Sequence, residues 1–222
     1  MKVLLSSVLS IFLMSDLNAQ DWPNLARYQE ANSKIVPGSK SVIFMGNSIT
    51  EGWVNMMPEF FNENNYLGRG ISGQTTPQML LRLRQDVISL QPKAVVILAG
   101  TNDIAGNTGP MTLEQIMDNL KGMAELAEAN NIKVILCSVL PAYEYPWVEG
   151  KKPNIDIPKL NSMIKAYCQV TGHHYLDYFS AMVGNKNDLR NELTYDGVHP
   201  DKAGYQLMAP LAKKALIELL DH

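Results

Sequence analysis

Ser41-Val42-Ile43-Phe44-Met45-Gly46-Asn47-Ser48-Ile49-Thr50-Glu51-Gly52-Trp53 is the stretch on which the reading of this chain turns. Val42 to Met45 is an apolar run of strand length that stops at Gly46, and Asn47 to Thr50 has the character of a tight turn opening a helix. Ser48 then stands at the carboxyl end of a strand, the edge where open α/β sheets gather their ligands. Backbone N–H groups at such a helix start have no partner within the helix and are suited to holding negative charge.

The segments that follow alternate in period. Glu51 to Asn64, with Trp53, Met56, Met57, Phe60 and Phe61, predicts a short helix interrupted near Pro58. Tyr66 to Ile71 predicts a second strand, and Met79, Leu80, Leu83, Val87 and Leu90 repeat at helical spacing within Gln74 to Leu90. Ala94 to Ala99 is almost wholly apolar, as expected of a central parallel strand covered on both faces. Thr112 to Asn130 reads as an amphipathic helix with Thr112 as its cap, and Ile132 to Val139 as a further strand. Pro141 to Pro158 reads as a long loop and Leu160 to Val170 as a helix. A last strand is expected over Tyr175 to Tyr178, a polar loop over Gly184 to Val198, and a closing helix over Lys202 to Leu220. Asp21 to Lys40 is expected to hold one short helix. Strands alternating with helices imply an α/β fold, a flavodoxin-like three-layer α/β/α domain with a parallel sheet of about five strands.

The chain has 222 residues, 46% hydrophobic and 18% charged, with a net charge of −3. That length suits one domain over residues 21–222. The charge leaves no basic footprint for nucleic acid and no basic amphipathic stretch for an anionic membrane surface. A small-molecule or glycan substrate is the expected partner; oligomeric state stays open. Residues 1–20 are expected to be a signal peptide: Lys2, an apolar run from Val3 to Met14, and Ala19-Gln20 at a polar junction. A buried N-terminal helix is the alternative. The run is short for a membrane span and no cysteine follows it, so a secreted or periplasmic protein without a lipid anchor is expected. Cys137 and Cys168 read as two buried thiols, or as a pair formed after export, and their spacing offers no metal site.

A serine becomes a useful nucleophile only when a base takes its proton and a third group orients that base. Of the four histidines, His222 is terminal and His173 and His174 open a strand. His199 remains, in the loop Tyr195-Asp196-Gly197-Val198-His199-Pro200 just before the last helix. Asp196 is three residues ahead of it. It could reach back to fix the imidazole tautomer, or it could cap the turn. For the oxyanion of acyl transfer, the Gly73 N–H and the Asn102 side chain follow strands and would converge on the same edge. Both could equally be ordinary turn residues.

Gly46-Asn47-Ser48-Ile49-Thr50, Gly70-Ile71-Ser72-Gly73-Gln74-Thr75, Gly100-Thr101-Asn102-Asp103 and Asp196-Gly197-Val198-His199-Pro200 together resemble, in order, the four blocks of the SGNH hydrolases, or GDSL esterases. Their style is similar to the acetylhydrolase-like branch. The resemblance covers Ser41 to the C-terminus. It implies Ser48 as nucleophile and oxyanion donor, Gly73 and Asn102 as the other donors, His199 as base and Asp196 as its orienting carboxylate, with no cofactor and no metal. It departs at Asn47, where the family usually carries aspartate; that residue is outside the triad, so the chemistry is expected to survive, with altered local hydrogen bonding. Thr50 stands where an α/β-hydrolase elbow would need glycine.

The implied function is a secreted serine esterase acting on small acyl esters, acetyl above all, carried by carbohydrate. Asn47, Trp53, Tyr143, Tyr145 and Trp147 are the expected substrate contacts. The three aromatics of the long loop either stack on sugar or pin that loop to the core. Met56, Met57 and Phe60 could instead line a cradle for a longer acyl chain. A lysophospholipase or thioesterase, or a non-catalytic carbohydrate-binding domain, are the alternatives.

Overall fold

The computed structural model describes residues 20–221. The signal-peptide reading and His222 lie outside the described residues. Five parallel strands form one sheet in the order β2-β1-β3-β4-β5, where β1 is Val42–Gly46, β2 Tyr66–Gly70, β3 Ala94–Leu98, β4 Lys133–Cys137 and β5 His174–Leu176. The alternation read from the sequence is the alternation observed.

Each central strand buries both faces, and its alternate residues enter two different cores. Ile43, Met45, Val95, Ile97, Val134 and Leu136 face one layer. It is built from α4 (Thr76–Asp86), α6 (Leu113–Glu128) and α7 (Pro153–Thr171). Val42, Phe44, Ala94, Val96, Ile135 and Leu176 face the other, built from α2 (Ser48–Met56), α3 (Pro58–Asn62) and α9 (Lys202–Leu220). The chain leaves β1 through one layer to reach β2 and returns through the other to β3. The carboxyl ends of these three strands are therefore the switch point of the sheet, where a crevice forms.

Local chemistry explains several boundaries. Thr112 and Gln115 form a reciprocal capping box that starts α6. Asp201 caps α9 by accepting from Gly204 N–H at 3.0 Å. Gly46 is required at the end of β1, because a Cβ there would meet Thr50 Oγ1 at 2.1 Å and the Leu98 carbonyl at 2.9 Å. α7 corrects the sequence reading, since it begins at Pro153 inside the expected loop and carries Pro158 in its second turn. Pro158 cannot donate to the Asn154 carbonyl one turn back, and Asn187 Nδ2 donates to it instead at 3.0 Å. Two short helices, Thr101–Ala105 (α5) and Phe179–Met182 (α8), were not legible as helices. Among the described residues the first helix is α1, Ala26–Ser33. Cys137 and Cys168 are both buried free thiols.

Trp53 is a correction. Expected near substrate, it is 1% exposed and stacks between Phe60, at a centroid distance of 4.8 Å, and Tyr205, at 5.7 Å. Phe60 is likewise core. The Trp53→Ala variant is expected to lose about 3–5 kcal/mol of stability. Trp147→Ala, removing a side chain that is 44% exposed, is expected to lose less than about 1 kcal/mol. Urea unfolding of the two variants measures the difference.

Candidate active site

The crevice above β1, β2 and β3 is an open cleft of about 550 Å³, lined among others by Ser48, Gly73, Asn102, Trp147, Tyr195 and His199. Ser48 is the first residue of α2, directly after β1. Asn47, expected at the substrate, is instead buried and absent from the lining. Its side chain accepts from Ile49 N–H at 3.0 Å, so it caps α2 and fixes the turn that raises Ser48. A neutral amide oxygen serves this bond as an aspartate would.

Ser48 Oγ lies 2.8 Å from His199 Nε2, and His199 Nδ1 lies 2.7 Å from Asp196 Oδ2. Asp196 Oδ1 also accepts from the His199 N–H at 2.7 Å and the Val198 N–H at 3.0 Å. Burial pushes the Asp196 carboxyl up, but these bonds and the imidazole together outweigh it and hold it below its ordinary value. Orienting the imidazole and capping the turn are thus both done by Asp196, with Oδ2 on the ring and Oδ1 on the two backbone N–H groups. The loop is closed by Thr194, whose hydroxyl donates to the His199 carbonyl at 2.6 Å and accepts from the Gly197 N–H at 3.0 Å. Gly197 sits at φ 84°, where a side chain would be strained.

Gly73, at φ 77°, and Asn102 approach from the ends of β2 and β3. Asn102 Nδ2 donates to the Gln74 carbonyl at 2.9 Å, which locks the two loops together. Asn107 adds a second tie, donating to the Gly73 carbonyl at 3.2 Å and accepting from Trp147 Nε1 at 3.2 Å. From the other side Glu51, one turn along α2 from Ser48, accepts from the Ser72 N–H at 2.9 Å and the Ser72 hydroxyl at 2.5 Å. It also pairs with Arg27 at 2.9 Å. Burial raises the Glu51 carboxyl, and Ser72 and Arg27 bring it below its ordinary value.

Beneath these loops lies a buried ionic network. Arg82 has no exposed surface, and its guanidinium donates to the Gly46 carbonyl at 2.9 Å, Gln74 Oε1 at 2.5 Å and Asp86 Oδ2 at 2.9 Å. Asp86 in turn accepts from Asn32 Nδ2 at 2.7 Å, and Asn32 Oδ1 accepts from Arg69 Nε at 2.9 Å. Behind Asn102, Asp103 Oδ1 accepts from the Thr76 N–H at 2.8 Å, while Oδ2 is buried with no partner. Burial, only partly offset by Thr76, pushes the Asp103 carboxyl up to about 6.

Two more of the expected substrate contacts need correction. Tyr145 is 4% exposed, with its hydroxyl 3.0 Å from Thr101 Oγ1 and its ring stacked 5.1 Å from Trp147. It pins the loop and supports Trp147. Tyr143 is outside the cleft and lines an adjoining cavity. Trp147 does reach the cleft, as does Met56, whereas Met57 packs on the core. The residues the sequence did not single out are Glu51, Asn55, Ser72, Asn107 and Tyr195. Tyr195, just before Asp196, stacks on the His199 imidazole at 5.8 Å and 11°.

Residues 44–207 match the GDSL-like Lipase/Acylhydrolase family. The chain belongs to that family, one of carboxylic ester hydrolases. It is similar to the crystal structure of a GDSL-like lipase from Bacteroides thetaiotaomicron VPI-5482. That similarity has 48% identity and a TM-score of 0.86, over 88% of this chain and 98% of that one. It is also similar to a crystal structure of an acetyl xylan esterase, with 25% identity and a TM-score of 0.67 over 80% of this chain and 100% of that one. The uncharacterized lipoprotein YqeF of Bacillus subtilis (strain 168) is 32% identical over 124 residues, 48% of this chain and 51% of that protein. The chain thus spans about half the length of this curated relative.

Arg82→Met is expected to cost about 3–5 kcal/mol, because Asp86 is left buried and unpaired. Arg82→Met with Asp86→Leu is expected to recover much of that loss in the same unfolding experiment. Asp103 carries a pH signature. Between the unfolded carboxyl value and about 6 the folded state holds the extra proton, so stability falls as pH rises through that window and levels off above it. The rise to about 6 corresponds to about 3 kcal/mol. Relative to Asp103→Asn, the wild type is expected to lose about that much stability between pH 4 and pH 7, read by denaturant titration at each pH.

Proposed function

We propose that the protein is an exported serine esterase that removes small acyl groups, acetyl above all, from carbohydrate through a Ser48-His199-Asp196 triad and an acyl-enzyme. The observation that carries this reading is the continuous chain of short contacts from Ser48 Oγ through the imidazole to Asp196. With the Nδ1 proton directed at Asp196, Nε2 is free to accept the Ser48 proton as Oγ attacks the ester carbonyl. The oxyanion is held by the N–H groups of Ser48 and Gly73 and by the Asn102 amide. His199 then protonates the leaving alkoxide. Water, deprotonated by the same imidazole, cleaves the acyl-enzyme.

Carbohydrate as the alcohol is supported by the exposed Trp147 and Tyr195 beside His199 and by the likeness to an acetyl xylan esterase. Export is supported by the apolar N-terminal run and by the likeness to a lipoprotein. Among the described residues no helix is long and apolar enough to cross a membrane. A second reading, an acylhydrolase for longer chains, is favoured by one observation, the half-exposed Met56 in the cleft wall.

Hydrolysis of p-nitrophenyl acetate, butyrate and octanoate separates the two. The expected order is acetate first, with kcat/KM falling about 10⁴-fold or more in Ser48→Ala. A preference for octanoate would replace the acetyl reading with the second one, and activity surviving in Ser48→Ala would remove Ser48 from the mechanism.

A further inference from the structure

A second cavity, of about 240 Å³, adjoins the cleft on the side of His199. The two share a wall: Pro146 and Asp196 line the second cavity, and their chain neighbours Trp147 and Tyr195 line the cleft. Apart from Asp196 in the shared wall, no residue of the triad lines this space. We propose that it is a subsite for a further sugar ring, so that the preferred ester stands on an oligosaccharide and not on an isolated sugar; the inference rests on the carbohydrate-esterase reading above.

The first support is direction. The base must hand its proton to the departing alcohol, so that alcohol lies against the His199 imidazole. The imidazole is flanked by Tyr195, nearly parallel at 5.8 Å, and by Trp147 at 6.1 Å and 41°. The leaving group therefore departs on the side of the cleft that these two rings line, and their chain neighbours Pro146 and Asp196 line the second cavity. Acyl substituents have other walls available, formed by Gly52, Asn55 and Met56 of α2.

The second support is the lining. Tyr143, half exposed, gives the cavity one aromatic surface. Glu144, Lys186 and Asn191 surround it with donors and acceptors, and among the described residues none of the three side chains is engaged in a hydrogen bond or ion pair. One aromatic face with unengaged polar groups of both signs matches a ring that is apolar on its faces and hydroxylated at its rim. It does not match an alkyl chain, which would leave those polar groups desolvated without partners. The exposed aromatics Tyr195, Trp147 and Tyr143 would then line the path of one chain from the reacting ester outward.

The test is the ratio of kcat/KM for a tetrasaccharide to that for its monosaccharide, in two matched pairs: O-acetylated xylotetraose with xylose, and O-acetylated mannotetraose with mannose. In the wild type the better pair is expected to give a ratio of about ten or more, and in Lys186→Ala and Tyr143→Ala the ratio is expected to fall toward one. A partly folded preparation lowers both members of a pair alike and leaves the ratio intact. A wild-type ratio near one with the monosaccharide still cleaved would overturn the subsite alone. A high ratio kept by both variants would also overturn it. If p-nitrophenyl acetate is hydrolysed and no acetylated sugar is, the carbohydrate reading fails and the subsite with it.

Discussion

The guanidinium of Arg82 is the interaction on which the site's geometry depends. It sits wholly inside the protein, between the end of the strand that precedes Ser48 and the loop that follows Gly73, and it bonds to both. A buried cation is tolerable only when its donors find acceptors and its charge a counter-ion. Gly46, Gln74 and Asp86 supply these together, so the register between the Ser48 turn and the Gly73 loop is set by a group that cannot move without losing all three. Asn32 and Arg69 extend the network to α1 and β2.

Above this base, each residue of the proposed mechanism is held by a neighbour outside it. Asn47 caps the helix that presents Ser48, Glu51 grips the N–H of Ser72, and Thr194 closes the turn between Asp196 and His199. Catalysis of acyl transfer benefits from donors fixed before charge develops, because no reorganisation is then needed at the moment of reaction. Short loops at the ends of parallel strands suit that demand, since the sheet fixes their anchors. The aromatic flanks of His199 come from its own loop, through Tyr195, and from the loop before α7, through Trp147, and both rings are open to solvent.

Much of the fold could be read because parallel strands buried on both faces leave continuous apolar runs, as in Val42–Met45 and Ala94–Ala99, separated by helices with 3.6-residue spacing. The long closing helix was legible over its whole length. The start of α7 was hidden, because Pro153 and Pro158 look like loop residues. The carbonyl that Pro158 leaves free is satisfied only by Asn187, far away in sequence. The burial of Trp53 was hidden for a related reason. A tryptophan five residues after Ser48 points into the cleft or away from it according to the helical phase, and here Tyr205 and Phe60 draw it inward.

By itself the sequence determined the class of fold and the family, and it singled out Ser48, Gly73, Asn102 and His199, which line one cleft, with Asp196 bonded to His199, because each stands in a short block readable locally. The tertiary structure alone decided which aromatics meet the cleft, which carboxylate clamps Ser72, and that Arg82 ties two strand ends together. Those facts arise from contacts between segments distant in the chain, and a side chain's direction and burial are set by what packs against it, not by its neighbours in sequence.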